Sequence, residues 1–211
     1  GIIRENSVCV TSAEGEALEV IQQRCAEKHT QLLIAQPTGL KCGLQGEFQK
    51  MNAGVAIKTI KALQHYGIKI PKKTIMEGLA KTQWQGRLQW LSSHILIDCA
   101  HNSQGCAVLG EELSRIKKEK KFKKIIFIFG VLADKNYQEM LHCIEPLADQ
   151  LILSKPHSSR ALDPQVLQKL INKKTVIIEN VNTALHHALS IAGKNDLIVV
   201  AGSIYLIGEI D

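Results

Sequence analysis

Apolar residues in the second half of the chain come in short, nearly uninterrupted runs: residues 94–98 (HILID), 124–130 (KIIFIFG), 150–153 (QLIL), 175–178 (TVII) and 196–201 (DLIVVA). Their starts lie roughly 21 to 30 residues apart, room for a strand, a loop and a helix each time. Between the runs the apolar positions change to a helical period. Cys106, Leu109, Leu113 and Ile116 recur at the spacing of one helix face, and Met140, Leu141 and Ile144 repeat it in the next segment. Val166, Leu167, Leu170 and Ile171 form a third set, and Leu185, Ala188, Leu189 and Ala192 a fourth. Asp163 before Pro164 marks a helix start, an N-cap acceptor followed by a residue whose fixed φ suits the first turn. Strands that are apolar throughout are buried on both sides. The pattern therefore predicts an α/β domain of about 120 residues: a doubly wound, mostly parallel sheet covered by helices on both faces.

The first part of the chain has a different texture. Short strands are expected over 8–11 and 32–35, the second ending in a Pro-Thr-Gly turn, with a helix over 13–28 between them. A helix is expected over 49–66, closed by Gly67, with Ala53, Ala56, Ile60 and Leu63 on one side; a shorter one follows over 71–80. These elements are too few and too broken to close a sheet. Residues 1–87 are therefore expected to be the C-terminal part of a larger domain, and residues 88–211 a complete α/β domain. Strand edges left unpaired in such a piece favour self-association. The start at Gly1, with no initiator Met, also reads as a fragment.

Composition narrows the class without naming an activity. Hydrophobic residues at 45% and charged residues at 22% are those of an ordinary globular protein. The longest uncharged apolar stretch, 125–133, is nine residues, too short to span a bilayer. Nothing at the N-terminus has the charged and then apolar layout of a secretory signal. The net charge of +6 is largely local, since six lysines fall within 117–124, opposed only by Glu119. A solvated helix end running into the strand at Ile125 accounts for them. With aromatics at 4% and no basic stripe carrying stacking residues, a nucleic-acid surface is not expected. Six cysteines without a CxxC pair point to a reduced, cytoplasmic setting, and no zinc site is visible.

Three clusters carry candidate chemistry. Asp98-Cys99-Ala100-His101-Asn102 sits at the C-terminal end of the first strand of the α/β domain, where open α/β sheets bind ligands. Asp98 can accept from ribose hydroxyls and His101 can orient a charged substrate group, while Asn102 or Ser103 can simply cap the next helix. Gly86-Arg87, within Trp84-Gln85-Gly86-Arg87, pairs a residue that permits close backbone approach with a planar fork for phosphate oxygens. Ala201-Gly202-Ser203 turns the last strand into a helix, so Ser203 is either an anion contact at a helix N-terminus or an N-cap. A P-loop, a G-x-G-x-x-G after a strand and a G-x-S-x-G elbow are all absent from the sequence.

Taken in order, the motifs resemble the C-terminal half of the folylpolyglutamate synthase/dihydrofolate synthase family, within the Mur ligase superfamily. They are Gly1-Ile2-Ile3-Arg4, Leu44-x-Gly46-x-Phe48-Gln49-x-x-Asn52-Ala53, Trp84-x-Gly86-Arg87 and Asp98-x-Ala100-His101-Asn102, followed by Gly130-x-x-x-Asp134-Lys135, Arg160-Ala161 and Ala201-Gly202-Ser203-x-Tyr205. The resemblance implies a Rossmann-like glutamate ligase domain of the Mur ligase C-terminal type, preceded by the tail of a central α/β ATPase domain. It also implies an ATP- and Mg²⁺-dependent ligase of folate biosynthesis, in which a carboxylate of a folate or dihydropteroate is phosphorylated and then attacked by the amine of L-glutamate. By resemblance Asn52, Arg87 and Asp98 contact ATP, Arg87 and His101 serve the reaction, and His101 and Ser203 hold the glutamate. Cys99 departs from the Gly usual at its position, although muramoyl ligases carry a side chain there too. The P-loop, the metal ligands and a carbamylated lysine are expected upstream of Gly1, so this chain is expected to be inactive alone; the complete enzyme is expected to be a monomer. Two other readings stand beside this one: a UDP-muramoyl-type amino-acid ligase of the same superfamily, and a non-catalytic nucleotide-binding domain.

Overall fold

The computed structural model describes residues 1–210 of the 211 and divides into two compact units, Gly1–Gln83 and the chain from Trp84 onward. In the first unit β1 (Val8–Thr11), α1 (Gly15–Glu27) and β2 (Gln31–Ile34) form a β-α-β passage. The two strands pair in parallel, from Val8 beside Gln31 to Thr11 beside Ile34, and make a sheet of two strands only. Two helices follow, α2 (Gln49–Ala62) and α3 (Lys72–Lys81). The helix expected to run through residue 66 tightens instead into a 3-10 turn at Leu63–Tyr66, which gives the last carbonyls partners three residues on. Gly67, at φ 79°, then ends it in the left-handed conformation. Ala53, Ile75 and Leu79 are the buried centre of this unit, flanked by Leu40, Ile57, Ile60 and Ile70. Ala56, expected on the packed side, is exposed, and Ile57 takes that place.

The second unit is the doubly wound domain. Its elements are β3 (Gln89–Ser92), β4 (Ile95–Ile97), α4 (Ser103–Glu119), β5 (Ile125–Phe129), α5 (Tyr137–Ile144), β6 (Gln150–Leu153), α6 (Pro164–Gln168), β7 (Thr175–Ile177), α7 (Val181–Ile191), β8 (Leu197–Ala201) and α8 (Ile204–Gly208). The sheet order is β3-β4-β8-β5-β6-β7, parallel throughout except for β3, which pairs antiparallel with β4. The sequence pattern misses β3 because Gln89-Trp90-Leu91-Ser92 is neither continuous nor cleanly alternating, and its ladder slips between Trp90 and Ser92. The helix over α6 is shorter than its periodicity predicts. Val166 and Leu170 lie on the surface and Leu167 alone is fully buried, so little packing extends it past Gln168.

Each helix of this unit starts on a polar side chain that accepts from the backbone of its first turn. Asn102 takes Gly105 N at 2.7 Å, Asn136 takes Glu139 N, Asp163 takes Gln165 N, Asn180 takes Thr183 N and Ser203 takes Tyr205 N. These caps stand after β4, β5, β6, β7 and β8, at the carboxyl ends of the parallel strands. Every second strand residue faces one side of the sheet: Ile95, Ile97, Ile126, Ile128, Ile152, Ile198 and Val200 pack with Val181, Ala184 and Ala188 of α7 and Leu206 and Ile207 of α8. The alternate set, including Phe127, Phe129, Leu151 and Val199, faces the opposite side. Buried Leu109 and Leu113 of α4 and Met140 and Ile144 of α5 cover that side. At the end of α4, Lys117 pairs with Asp149 at 3.0 Å, and Lys120 Nζ lies 4.8 Å over the Trp90 ring, itself stacked on Phe122. Among the described residues no helix is long and apolar enough to cross a membrane.

One packing contact in the first unit yields a test. A Cβ at Gly54, in the middle of α2, would meet the backbone carbonyl of Gln36. Helix propensity favours alanine over glycine by about 1 kcal/mol, while forcing atoms into an occupied site costs about 1–3 kcal/mol. The carbonyl belongs to the backbone and gives way least. Gly54→Ala is therefore expected to lower the melting temperature despite the better helix former, whereas Gly78→Ala in α3, with open space around it, raises or preserves it.

Candidate active site

The candidate residues of the second unit converge where β4 and β8 end side by side. Asp98 follows β4 directly, with its N–H donating to the Val200 carbonyl at 3.0 Å. At 6% exposure it is a buried carboxylate, and such a group has to be supplied with donors. The chain supplies two: Leu88 N donates to Oδ2 at 2.9 Å and Ala100 N to Oδ1 at 2.8 Å. Burial still dominates and pushes the Asp98 carboxyl above its ordinary range; the two backbone N–H groups, then Arg87 and His101, pull it back in part.

That carboxylate shapes the segment before β3. Leu88 is held at φ 45°, a left-handed conformation unusual for a branched apolar residue, with its side chain buried at 2%. Gly86, at φ 68°, precedes it and donates its N–H to Gln89 Oε1 at 2.8 Å, while its carbonyl accepts from Cys99 N at 2.6 Å. Two left-handed residues on either side of Arg87 make a tight curl. Leu88 points inward, and Arg87 is left exposed beside the Asp98 carboxylate. These bonds also tie the segment from Trp84 to the second unit, whose compact limit therefore falls before Trp84. Gly86 has a further reason to lack a side chain, because a Cβ there would run into Cys99 Sγ and reach Ile207.

His101 lies in the loop between β4 and α4. Its Nδ1 is 2.8 Å from the Cys99 carbonyl oxygen. A carbonyl can only accept, so Nδ1 carries the hydrogen and Nε2 is the other polar atom of the ring, an acceptor when the ring is neutral and a donor when it is charged. Asn102 is spent on capping α4. Ser203 is 1% exposed and caps α8, so what it offers a ligand from this position is its hydroxyl hydrogen. The expectation of a helix N-terminal anion site here is weakened: α8 is only five residues, little more than one turn of aligned peptides. The two loops are joined by Gly202 N donating to the Ala100 carbonyl at 3.0 Å. Gly202, at φ 114°, also approaches Gly130 so closely that a Cβ would strike its carbonyl.

Asp98, Arg87, His101 and Ser203 are thus brought to one end of one sheet. Asn52 belongs to the first unit, exposed in the first turn of α2, where its side-chain N–H donates to Gln49 Oε1 at 3.0 Å. Sequence reasoning missed Leu88, whose backbone does as much for the site as any side chain. Its only signal was position, directly after Gly86-Arg87. Among the described residues no group of three or more His, Cys, Asp or Glu side chains is placed to hold a metal ion.

Gly86→Ala is expected to destabilise this unit by about 2–4 kcal/mol, combining a left-handed backbone with an overpacked contact. Cys99→Ala in the same chain should recover the packing share but not the backbone share, a coupling that denaturant titration of the two single variants and the double variant measures. A second expectation concerns pH. The folded state holds the Asp98 proton more tightly than the unfolded chain, so its contribution to stability falls as pH rises from the ordinary aspartate value of 3.8 through the raised folded value, and is constant above it. Measured by urea unfolding at several pH values, the stability of wild type minus that of Asp98→Asn should decline across that window. A flat difference would show that the carboxylate is not desolvated.

Residues 86–204 match the family model of the Mur ligase glutamate ligase domain. Along its whole length the chain is 28% identical to the dihydrofolate synthase/folylpolyglutamate synthase of Bacillus subtilis, covering 55% of that protein. It is 29% identical to the dihydrofolate synthetase of Saccharomyces cerevisiae, covering 58% of it. Among solved structures, Mycobacterium tuberculosis folylpolyglutamate synthase complexed with ADP superimposes with a TM-score of 0.82 at 21% identity, over 95% of this chain and 53% of that one. E. coli FolC in complex with DHPP and ADP gives 0.83 at 20% identity, over 98% and 53%. These two share the fold with this chain. The chain spans about half the length of the relatives it matches. Because the family match covers more than half of the chain and spans the sheet that carries Asp98, His101 and Ser203, the chain belongs to the Mur ligase family through its glutamate ligase domain.

Proposed function

We propose that this chain is the C-terminal portion of an ATP-dependent ligase that joins L-glutamate to the carboxylate of a folate or dihydropteroate. The observation that carries the reading is the Gly86–Leu88 curl, which leaves an exposed guanidinium beside a buried, doubly hydrogen-bonded carboxylate. Each Asp98 oxygen keeps a lone pair after its backbone bond, so the carboxylate can still accept from two ribose hydroxyls. Arg87 is free to meet phosphate oxygens with its planar fork and to offset charge growing on the transferred phosphoryl group. ATP supplies the activation of the substrate carboxylate. Asn52, on the first unit, contacts the adenine in this reading, and that unit is the tail of the central ATP-binding domain. Mg²⁺ would be held by residues outside this chain.

His101 and Ser203 serve the incoming amino acid. In the neutral ring the open Nε2 accepts a hydrogen from the glutamate amine; in the charged ring it donates to a carboxylate, as the Ser203 hydroxyl does. The folate branch is favoured over a muramoyl-type ligase by the relatives, which are dihydrofolate and folylpolyglutamate synthases along the whole chain. A cytoplasmic setting agrees with cysteines that are all unpaired. The complete enzyme works as a monomer on small-molecule substrates, without nucleic acid.

The test is steady-state ADP release by the complete ligase that contains this chain. Turnover should require both glutamate and a pterin carboxylate. Arg87→Ala should lower kcat/KM by more than tenfold, roughly 30- to 800-fold for the loss of about 2–4 kcal/mol expected for one strong contact to developing charge, with the melting temperature unchanged. His101→Ala should weaken glutamate more than ATP. Turnover by Arg87→Ala close to wild type would return that residue to the surface.

A further inference from the structure

The residues assigned to substrates lie at the carboxyl edge of the six-stranded sheet. The opposite, amino edge carries a concentration of lysines that the ligase reading does not use. Lys118, Lys120, Lys121, Lys123 and Lys124 are exposed along the end of α4 and the turn into β5. Attraction to the negative end of α4 accounts for Lys117 and Lys118 in its last turn, and that effect fades beyond the turn. The lysines that follow need another reason.

The fold adds exposed Lys194 to them from a distant part of the sequence. Lys123 N donates to the Asn195 carbonyl at 2.8 Å and Leu197 N to the Lys124 carbonyl at 2.9 Å, which sets the entrances of β5 and β8 side by side. Ile198 N donates to the His94 carbonyl at 2.9 Å and carries the same edge on to the β3–β4 hairpin. The acids of this edge are already engaged. Glu119 accepts from Arg115 Nη1 through both oxygens at 2.9 Å, Asp149 accepts from Ile125 N and Lys117, and buried Asp196 accepts from Gly193 N. Lys118, Lys121, Lys123, Lys124 and Lys194 make no ion pair among the described residues. Lys121 stands at φ 57°, where glycine is the unstrained choice, so its side chain is kept against a local conformational cost.

The residue types indicate what meets this edge. Its available cations are lysines, since Arg115 is engaged with Glu112 and Glu119. Mobile ammonium groups suit a diffuse field of anions better than one fitted carboxylate or phosphate. Trp90 and Phe122 are stacked on each other, with Lys120 over the Trp90 ring, so these faces are not offered to nucleobases. Two aliphatic side chains border the lysines, each 42% exposed: Leu91 beside the hairpin tip, and Ile191 at the end of α7, shortly before Lys194. Ammonium groups bordered by aliphatics complement an anionic bilayer, where charged headgroups cover hydrocarbon. We propose that the amino edge of this sheet docks on an anionic lipid surface. The contact is made with the headgroup layer and does not cross the bilayer. It turns Asp98, His101 and Ser203 toward the aqueous side, where soluble substrates arrive. The inference stands independently of the ligase reading.

The experiment is co-sedimentation of the complete protein containing this chain with vesicles of phosphatidylcholine alone and of a two-to-one mixture of phosphatidylcholine and phosphatidylserine. Wild type should sediment with the mixed vesicles at low salt and not with the neutral ones. Molar salt should weaken the binding by about tenfold or more, because exposed charges are screened. Combining Lys121→Glu, Lys123→Glu and Lys124→Glu should remove the binding while the melting temperature holds. Lys121→Gly removes one charge and relieves the left-handed backbone; it should bind severalfold more weakly with a melting temperature that holds or rises. Leu91→Ser leaves the charge unchanged and should also bind severalfold more weakly. Equal sedimentation with neutral and mixed vesicles overturns the proposal, as does a charge-reversed variant that binds like wild type. Capture of wild type by soluble poly-aspartate or by RNA, with none on the vesicles, assigns the edge to another class of partner and overturns it too.

Discussion

A carboxylate removed from water is the constraint around which the carboxyl edge of the sheet is arranged. Asp98 follows immediately after a buried strand, where leaving it unpaired would cost several kcal/mol. Its donors come from the residue two places on and from one ten places back in the chain. Reaching that earlier donor bends residues 86–88 into left-handed backbone, and the bend leaves Arg87 between two inward-facing neighbours. Hydrogen bonds to a charged group contribute about 1.5–3 kcal/mol each, enough to hold Leu88 in a conformation costing roughly 1–2 kcal/mol. The carboxyl remains above its ordinary range even so, which means the donors offset only part of its burial. The remaining lone pairs are the acceptors that the buried carboxylate still presents.

The strand-and-helix rhythm of the second unit was legible because parallel strands covered on both faces leave continuous apolar runs, as β4, β5, β6 and β8 do; β7 shows such a run too, although at the sheet edge its Val176 stays exposed. The caps were partly legible too: Asp163 before Pro164 and Asn102 after His101 are local chemistry, and both accept from their helix as their residue types imply. β3 was not legible, since an edge hairpin strand with a slipped ladder has neither period to show. The breakdown of α2 into a 3-10 turn and the short α6 depend on what packs against them, which periodicity does not report.

The site divides in the same way. Asp98 and His101 stood out because polar residues gather at a strand's carboxyl end, a rule of the fold that sequence order reveals. How they are wired did not stand out. The Leu88 N–H to Asp98 bond joins two segments that meet when β3 folds back on β4, a pairing the pattern of β3 does not show, and nothing in a leucine announces φ 45°. The contact of Gly86 with Cys99 is likewise a matter of tertiary closure. Ser203 was read as either cap or anion contact. The short α8 makes it first a cap.

The position of β8 bears on how the domain comes into being. It lies between β4 and β5, yet of the six strands it is the last to be synthesised. Until it emerges, β4 and β5 have no common neighbour, and each shows an open apolar edge. A ribosome adding roughly 5–20 residues per second leaves those edges exposed for seconds, long compared with local helix formation. The central strand must then slot in between two waiting partners, the kind of non-local pairing that slows folding and invites association. A nascent chain of this design therefore passes through a window in which a chaperone matters most, and that window closes when the residues of β8 reach the sheet.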